Sequence, residues 1–257
     1  MSSSPHGFYV AIPARQGSTR LAGKVLAPLK GKPMLQWVYE RARASGARGV
    51  LIATDDAAIA NAARAFGAQA RMTSAAHASG TDRIAELAAI ESWPDAAIVV
   101  NVQADEPLIP PALIRQVAAL LDSDPQAAIA TLATPIESLE EFLDPNAVKV
   151  VADVKGRALY FSRAPIPWQR DGAPAGLASQ RAFAGARRHV GIYGYRVLAL
   201  RRLAALAPTA LENAEKLEQL RALAHGLVIR VADAEERPGP DVNTAEDLER
   251  VAALLPG

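Results

Sequence analysis

Two groups of residues in this 257-residue chain have types and spacing suited to chemistry. The first is the run FYVAIPARQGSTRLAGK, from Phe8 to Lys24. An apolar, β-branched stretch breaks at Pro13 into a polar turn carrying Arg15, Gln16, Gly17, Ser18, Thr19, Arg20, Gly23 and Lys24. A buried strand that empties into a glycine-containing basic loop suits a phosphate, because small residues let backbone amides approach and fixed cations neutralise the charge. The cations Arg15, Arg20 and Lys24 fall within one short loop, which points to a polyphosphate rather than a single carboxylate. The residues alone also admit an ordinary strand-to-helix loop with solvated charges. The second group is Gln103, Ala104, Asp105, Glu106 and Pro107, which follows the apolar run AAIVVNV. A carboxylate at the end of a buried strand has low mobility. It offers the hard oxygen that magnesium takes, usually beside phosphate oxygens. A plain turn aspartate before Glu-Pro is the alternative reading of Asp105.

Bulk properties exclude several classes. The net charge is +1 and half the residues are hydrophobic. No global basic field argues for nucleic acid, and no acidic tail argues for disorder. The absence of cysteine rules out disulfides, thiolate zinc sites and a cysteine nucleophile. The four histidines lack metal-ligand spacing, so a zinc enzyme is not expected. The N-terminal MSSSPHG is polar, and no window approaches the roughly 20 apolar residues of a membrane span. The expectation is a soluble, cytoplasmic protein with no membrane and no nucleic-acid partner.

The elements that must position these residues alternate. Strands are expected at Phe8–Pro13, Gly49–Thr54, Gln69–Met72 and Ala96–Val102. Helices are expected from Gly31–Met34 to near Gly46, over Ala57–Phe66, and from a Thr81 or Asp82 cap to Ile90. Strands apolar on both faces, separated by helices, predict a parallel sheet covered on each side. Ligands of such sheets bind beyond the carboxyl ends of the strands, where Arg15–Lys24, Asp55 and Gln103–Glu106 fall. From Ile129 the texture changes. Ile129–Pro135, Ala147–Asp153, Arg157–Ser162 and His189–Arg196 read as strands without long helices between them, so antiparallel additions are expected. Gly172–Arg187 reads as a Gly-, Ala- and Pro-rich loop. Helices follow at Val197–Ala207 and Glu212–His225, then a strand at Leu227–Ala232 and a last helix, Thr244–Leu255, with Thr244 as its cap. On one continuous helix Glu212, Glu215 and Gln219 would share a face opposite Leu217, Leu220 and Ala224, either as a binding face or as a solvated one.

The segments IPARQGSTRLAGK, GKPM, ATD, TSAAHASGTDR, NVQADEP, PNAVKVV, ALYFSRAPIPW, RHVGIYGYR, LEQLRAL and DVNTAEDLERV occur in an order that resembles the 3-deoxy-D-manno-octulosonate cytidylyltransferase (CMP-Kdo synthetase) family, from Phe8 to Leu254. The resemblance implies a single-domain, Rossmann-like nucleotidyltransferase α/β fold of the nucleotide-diphospho-sugar transferase kind. Its central sheet would be mostly parallel, with an antiparallel β subregion over about 129–196 as the expected interface of a homodimer. It further implies a cytoplasmic, magnesium-dependent enzyme that makes CMP-Kdo and pyrophosphate from CTP and the eight-carbon acid sugar Kdo, for lipopolysaccharide assembly. A related acid sugar (amino-substituted Kdo or a capsule precursor) is an alternative acceptor.

By the same resemblance Arg15, Arg20 and Lys24 are the triphosphate cations, with Ser18 and Thr19 as hydroxyl partners, and Arg15, Lys24 and Asp105 carry the catalysis. The cytosine is expected near Ala14 and Arg15 and near Ser74, Ser79, Gly80, Thr81 and Asp82. Gln103, Arg163, His189, Tyr193, Glu212 and Glu215 match the sugar-site positions. Asp105 is the expected magnesium ligand. Two departures stand out: Ala104 replaces a family glycine, and Asn243 replaces an aspartate that supplies a second metal carboxylate. An amide oxygen ligates magnesium without bringing charge. Asp241 lies two residues earlier, on the same side of an extended segment, and is a candidate substitute. With Asn243 in that place, a non-catalytic CTP-binding protein is the reading from a different class.

Overall fold

Strand β1 (Phe8–Ala14) lies inside the main sheet and runs parallel to both of its neighbours. The computed structural model describes residues 7–15, 23–173 and 175–255. After β1 come a small antiparallel pair, β2 (Pro28–Leu29) and β3 (Lys32–Pro33), and helix α1 (Met34–Ala44). Then β4 (Gly49–Thr54), α2 (Ala57–Ala65), β5 (Gln69–Met72), α3 (Gly80–Ile90) and β6 (Ile98–Asn101) complete the alternating half. The remainder is α4 (Pro111–Ser123), β7 (Ile129–Pro135), α5 (Leu139–Leu143), β8 (Lys149–Ala152), β9 (Ala158–Ser162) and β10 (Arg187–Arg196). Helices α6 (Val197–Ala204), α7 (Ala210–Glu215) and α8 (Gln219–Ala224), strand β11 (Ile229–Asp233) and helix α9 (Ala245–Leu254) end it.

The strand order is β11-β7-β10-β6-β1-β4-β5, with β8 and β9 attached beside β10. Contacts of β1 with β4 and β6, of β4 with β5 and of β7 with β11 are parallel; β10 is antiparallel to β6, β7 and β8. The expected antiparallel additions therefore enter the main sheet itself, with β10 wedged between two parallel strands. Alternation along β1 divides the core. Val10 and Ile12 pack with α1, α2 and α4, while Ala11 packs with α3, α6 and α8. Both faces are covered, which is why these strands read as continuous apolar runs. Each fully buried leucine or valine of α4, such as Leu113 and Val117, contributes about 1.5–3 kcal/mol.

Three local expectations are corrected. Helix α3 is capped by Ser79 rather than by Thr81 or Asp82. Its side chain accepts from the Asp82 amide while Asp82 accepts from the Ser79 amide, a reciprocal box. The single helix expected over Glu212–His225 is two helices, because Lys216 adopts the left-handed conformation at φ 54° and ends α7. Helix α4, the longest in the described residues, corresponds to nothing in the sequence expectation; Pro111 opens it at a position where proline is favoured.

Candidate active site

The carboxyl ends of β1, β4 and β6 share one edge, since Ala14 pairs with Thr54 and Ala11 with Asn101. Antiparallel β10 brings Tyr193 to the same edge, opposite Asn101. At the end of β1, Ala14 is buried and Arg15 is exposed. Ser18, Thr19 and Arg20 lie outside the described residues.

Lys24 is where the basic loop meets the acidic ones. Its Nζ donates to Asp105 Oδ2 at 2.7 Å and to the Val242 carbonyl at 2.9 Å. The Val242 amide in turn donates to the Asp105 carbonyl at 2.9 Å. Val242 is fully buried with Leu29, Met34 and Val251, so the segment carrying Asp241 and Asn243 is anchored against the QADEP loop. Asn243 Nδ2 donates to Asp241 Oδ2, which puts those two side chains on one side, as their spacing predicts. Ala104 is absent from the residues with positive φ, so the departure from glycine there costs no backbone strain.

A third carboxylate belongs to this cluster. Burial, with the negative charges of Asp105 and Asp241, pushes the Glu106 carboxyl up to about 8. Among the described residues no three or more His, Asp or Glu are arranged to hold a metal by themselves. Two hard carboxylates completed by phosphate oxygens suit magnesium, which seldom takes an all-protein cage. The donor set therefore fits a magnesium ion that arrives with a nucleotide.

A second focus lies beside the first. The start of α3 abuts β1, and a Cβ on Gly80 would lie 3.3 Å from Pro13 Cγ. Gly80, Thr81, Asn101, Gln103, Tyr193, Tyr195, Glu218 and Gln219 line a cavity of about 110 Å³. Thr81 Oγ1 donates to Glu218 Oε2. Asn101 Oδ1, Tyr193 Oη and Glu218 Oε1 are buried without a hydrogen-bond partner. Buried polar atoms are almost always partnered, so orphaned ones that converge on one cavity call for a polar guest. Glu218 and Asn101 are missing from the sequence-derived site, and Gln219 entered it only as part of a helix face shared with Glu212 and Glu215. Glu218 and Gln219 lie within LEQLRAL, and the assumption of one continuous helix hid their direction. Asn101, a lone amide closing an apolar strand, was the available signal.

Among the described residues, none of the other sequence-derived ones lines the cavity. The Ser74 amide donates to Glu86 Oε2, and His77 contacts the same oxygen, so this loop is tied to α3 and the Glu86 carboxyl is held below its usual range. Asp82 is occupied in the α3 cap. Arg163 and Glu215 bind one another at the end of β9, through the Arg163 amide at 2.8 Å and Nε at 2.7 Å. Glu212 is turned away into an ion pair with Arg221, whose Nε lies 2.8 Å from Glu212 Oε2; that bond holds the Glu212 carboxyl low. His189 stands beside Tyr193, its Nε2 2.9 Å from Thr131 Oγ1. Desolvation, aided by Arg188, depresses this imidazole to about 3 and keeps it neutral.

Among the described residues no helix is long and apolar enough to cross a membrane. The cytidylyltransferase family model matches residues 9–231. The 3-deoxy-manno-octulosonate cytidylyltransferase of Halorhodospira halophila is 53% identical, over 98% of this chain and 98% of that one. Its counterpart in Thioalkalivibrio sulfidiphilus is 54% identical, over 96% and 98%. A solved CMP:2-keto-3-deoxy-manno-octonic acid synthetase complexed with CTP superposes with a TM-score of 0.86 at 41% identity, covering 96% of this chain and 98% of its own. With matches of this extent over nearly its whole length, the chain belongs to the 3-deoxy-manno-octulosonate cytidylyltransferase family.

Proposed function

We propose that this protein transfers CMP from CTP to the anomeric hydroxyl of 3-deoxy-D-manno-octulosonate, releasing pyrophosphate. One observation carries the reading: the Lys24–Asp105 pair and the orphan-lined cavity share a single loop, with Gln103 in the cavity and Asp105 on the lysine. A triphosphate bound at Lys24 and a sugar bound at Gln103 would meet across two residues. The sugar oxygen forms a bond to the α-phosphorus, the bond from that phosphorus to the pyrophosphate oxygen breaks, and the hydroxyl proton is lost to solvent. Positioning and charge neutralisation dominate such transfers.

Each group then has a task. Lys24 supplies a fixed cation to the phosphates, and Arg15, exposed at the end of β1, is within the same edge. The cavity takes the polyhydroxylated acceptor, whose hydroxyls satisfy Asn101, Tyr193 and Glu218; Arg163 meets its carboxylate. The first turn of α3, with Ser79 to Asp82, stands beside the end of β1 where the cytosine belongs. Asp105 and Asp241 would hold magnesium, with Asn243 orienting Asp241. The ion, when bound, neutralises charge on the phosphates and the leaving pyrophosphate. The product serves lipopolysaccharide assembly, in the cytoplasm, and the working form is a homodimer.

Pyrophosphate release with CTP and Kdo across a magnesium titration tests the reading, with UTP and Kdo-free controls. Turnover that needs both substrates is expected. CTP binding without turnover at any magnesium concentration would overturn it. Asp241→Ala is expected to raise the magnesium midpoint; an unchanged midpoint would remove Asp241 from the metal site.

A further inference from the structure

We infer that Glu215 is a positioning residue that aims Arg163 at the acceptor's carboxylate; this rests on the reading that Arg163 meets that group. The carboxylate of Glu215 is already engaged. Ser162 Oγ donates to Oε1 at 2.6 Å, and the Arg163 amide donates to Oε2 at 2.8 Å. The Glu215 main chain acts too, because its carbonyl accepts from Arg163 Nε at 2.7 Å. On the other side of the guanidinium, Nη1 donates to the Pro145 carbonyl at 2.9 Å. The preceding carbonyl, that of Asp144, is taken by the buried Lys149 ammonium at 2.8 Å. The guanidinium is therefore braced on two edges by backbone, and Nη2 carries no bond among the described residues.

Electrostatics separates this role from sugar binding. A carboxylate that faced an acid sugar would repel the charge the site must accept. A carboxylate set behind Arg163 and near Lys149 instead offsets the mutual repulsion of the two cations and leaves the guanidinium's free edge for an anion. The left-handed break at Lys216 makes this possible. It lets Glu215 fold back onto β9 while Glu218, in the same short turn, lines the cavity. A continuous helix would not deliver the two carboxylates to two different sites.

The test is steady-state kinetics of the full-length enzyme with CTP and Kdo, for Glu215→Gln, Ser162→Ala, Arg163→Ala and the double variant of Glu215→Gln with Arg163→Ala. Misplacing a charged anchor by an ångström is expected to raise KM for the acid sugar by about tenfold or more in Glu215→Gln, with KM for CTP unchanged within about twofold. Ser162→Ala removes one bond of the brace and moves the same constant in the same direction by less. In the Arg163→Ala background, Glu215→Gln is expected to add nothing, since the two act as one unit. Full additivity in the double variant, or an unchanged acceptor KM in both Glu215→Gln and Ser162→Ala, would overturn the inference. If Glu215→Gln fails to fold, Ser162→Ala alone and in the Arg163→Ala background decides it by the same criteria. Arg163→Ala with an unaltered acceptor KM would instead overturn the placement of the acceptor's carboxylate, and the inference with it.

Discussion

His189 lies between Phe161 and Tyr193, with ring centroids 5.1 Å from each. Its depressed basicity has a measurable sign. Above 6.5 the ring is neutral folded or unfolded and contributes no pH dependence. Between 6.5 and about 3 the unfolded chain takes up a proton that the folded ring refuses, so stability declines as pH falls across that window. His189→Gln should flatten the loss, read as the denaturant midpoint between pH 7 and 4; an undiminished slope would assign the acid sensitivity elsewhere. Glu212 carries a different expectation. Its ion pair with Arg221 is largely buried, at 11% and 9% side-chain exposure. Removing one partner of a buried pair costs about 3–5 kcal/mol, because the other is left uncompensated. Glu212→Ala should therefore lower the melting temperature sharply, while the folded fraction keeps its KM for the acceptor. A large KM rise at unchanged stability would return Glu212 to the sugar site. The pair was hidden in the sequence because the two residues are nine positions apart, and only the break at Lys216 brings them face to face.

Elements carry the next level of control. Gly194 in β10 shows why α4 lies where it does. A Cβ there would stand 2.7 Å from Val117 Cγ1, so the helix rests directly on the strand backbone. Gly194→Ala should destabilise by about 1–3 kcal/mol through overpacking, measured by urea denaturation; a neutral result would mean that α4 shifts freely. At the other face Ser79 caps α3 and holds its first turn against β1. Ser79→Ala should cost about 1 kcal/mol for the lost cap and also raise KM for CTP, the second effect being absent if the turn serves folding alone. The longer strands and the helices α1, α2 and α3 were legible because their apolar periods are clear and their ends carry turn residues, but the short β2–β3 pair was not, since Lys32–Pro33 falls in GKPM, which reads as a helix start. The helix α4 was not, although PALIRQVAALLDS has apolar residues at helical spacing, because the preceding Pro-rich stretch reads as a loop. The division between α7 and α8 was not legible either, since a left-handed lysine leaves no signature in residue type.

At the scale of the whole molecule, the edge strand β9 pairs with β8 alone and exposes Leu159, and Val154 at the turn between them is fully exposed. Unpaired edges with exposed apolar side chains invite pairing with another chain. Light scattering is expected to give about twice the 27.1 kDa chain mass, and a clean monomer would contradict the homodimer. The amino-acid sequence by itself determined the α/β class, the family, and the carboxyl-edge position of Arg15, Gln103 and Asp105. Those follow from apolar period, local turn chemistry and motif order, all of which act over a few residues. Tertiary structure alone decided that Lys24 pairs with Asp105 and the Val242 carbonyl. It also joined Thr81 to Glu218 and made Glu215 a brace for Arg163 rather than a free ligand. These contacts span from 52 to 218 positions of chain. They depend on which strand of the sheet each loop leaves, and that is set by the packing of the whole core rather than by any local run of residues.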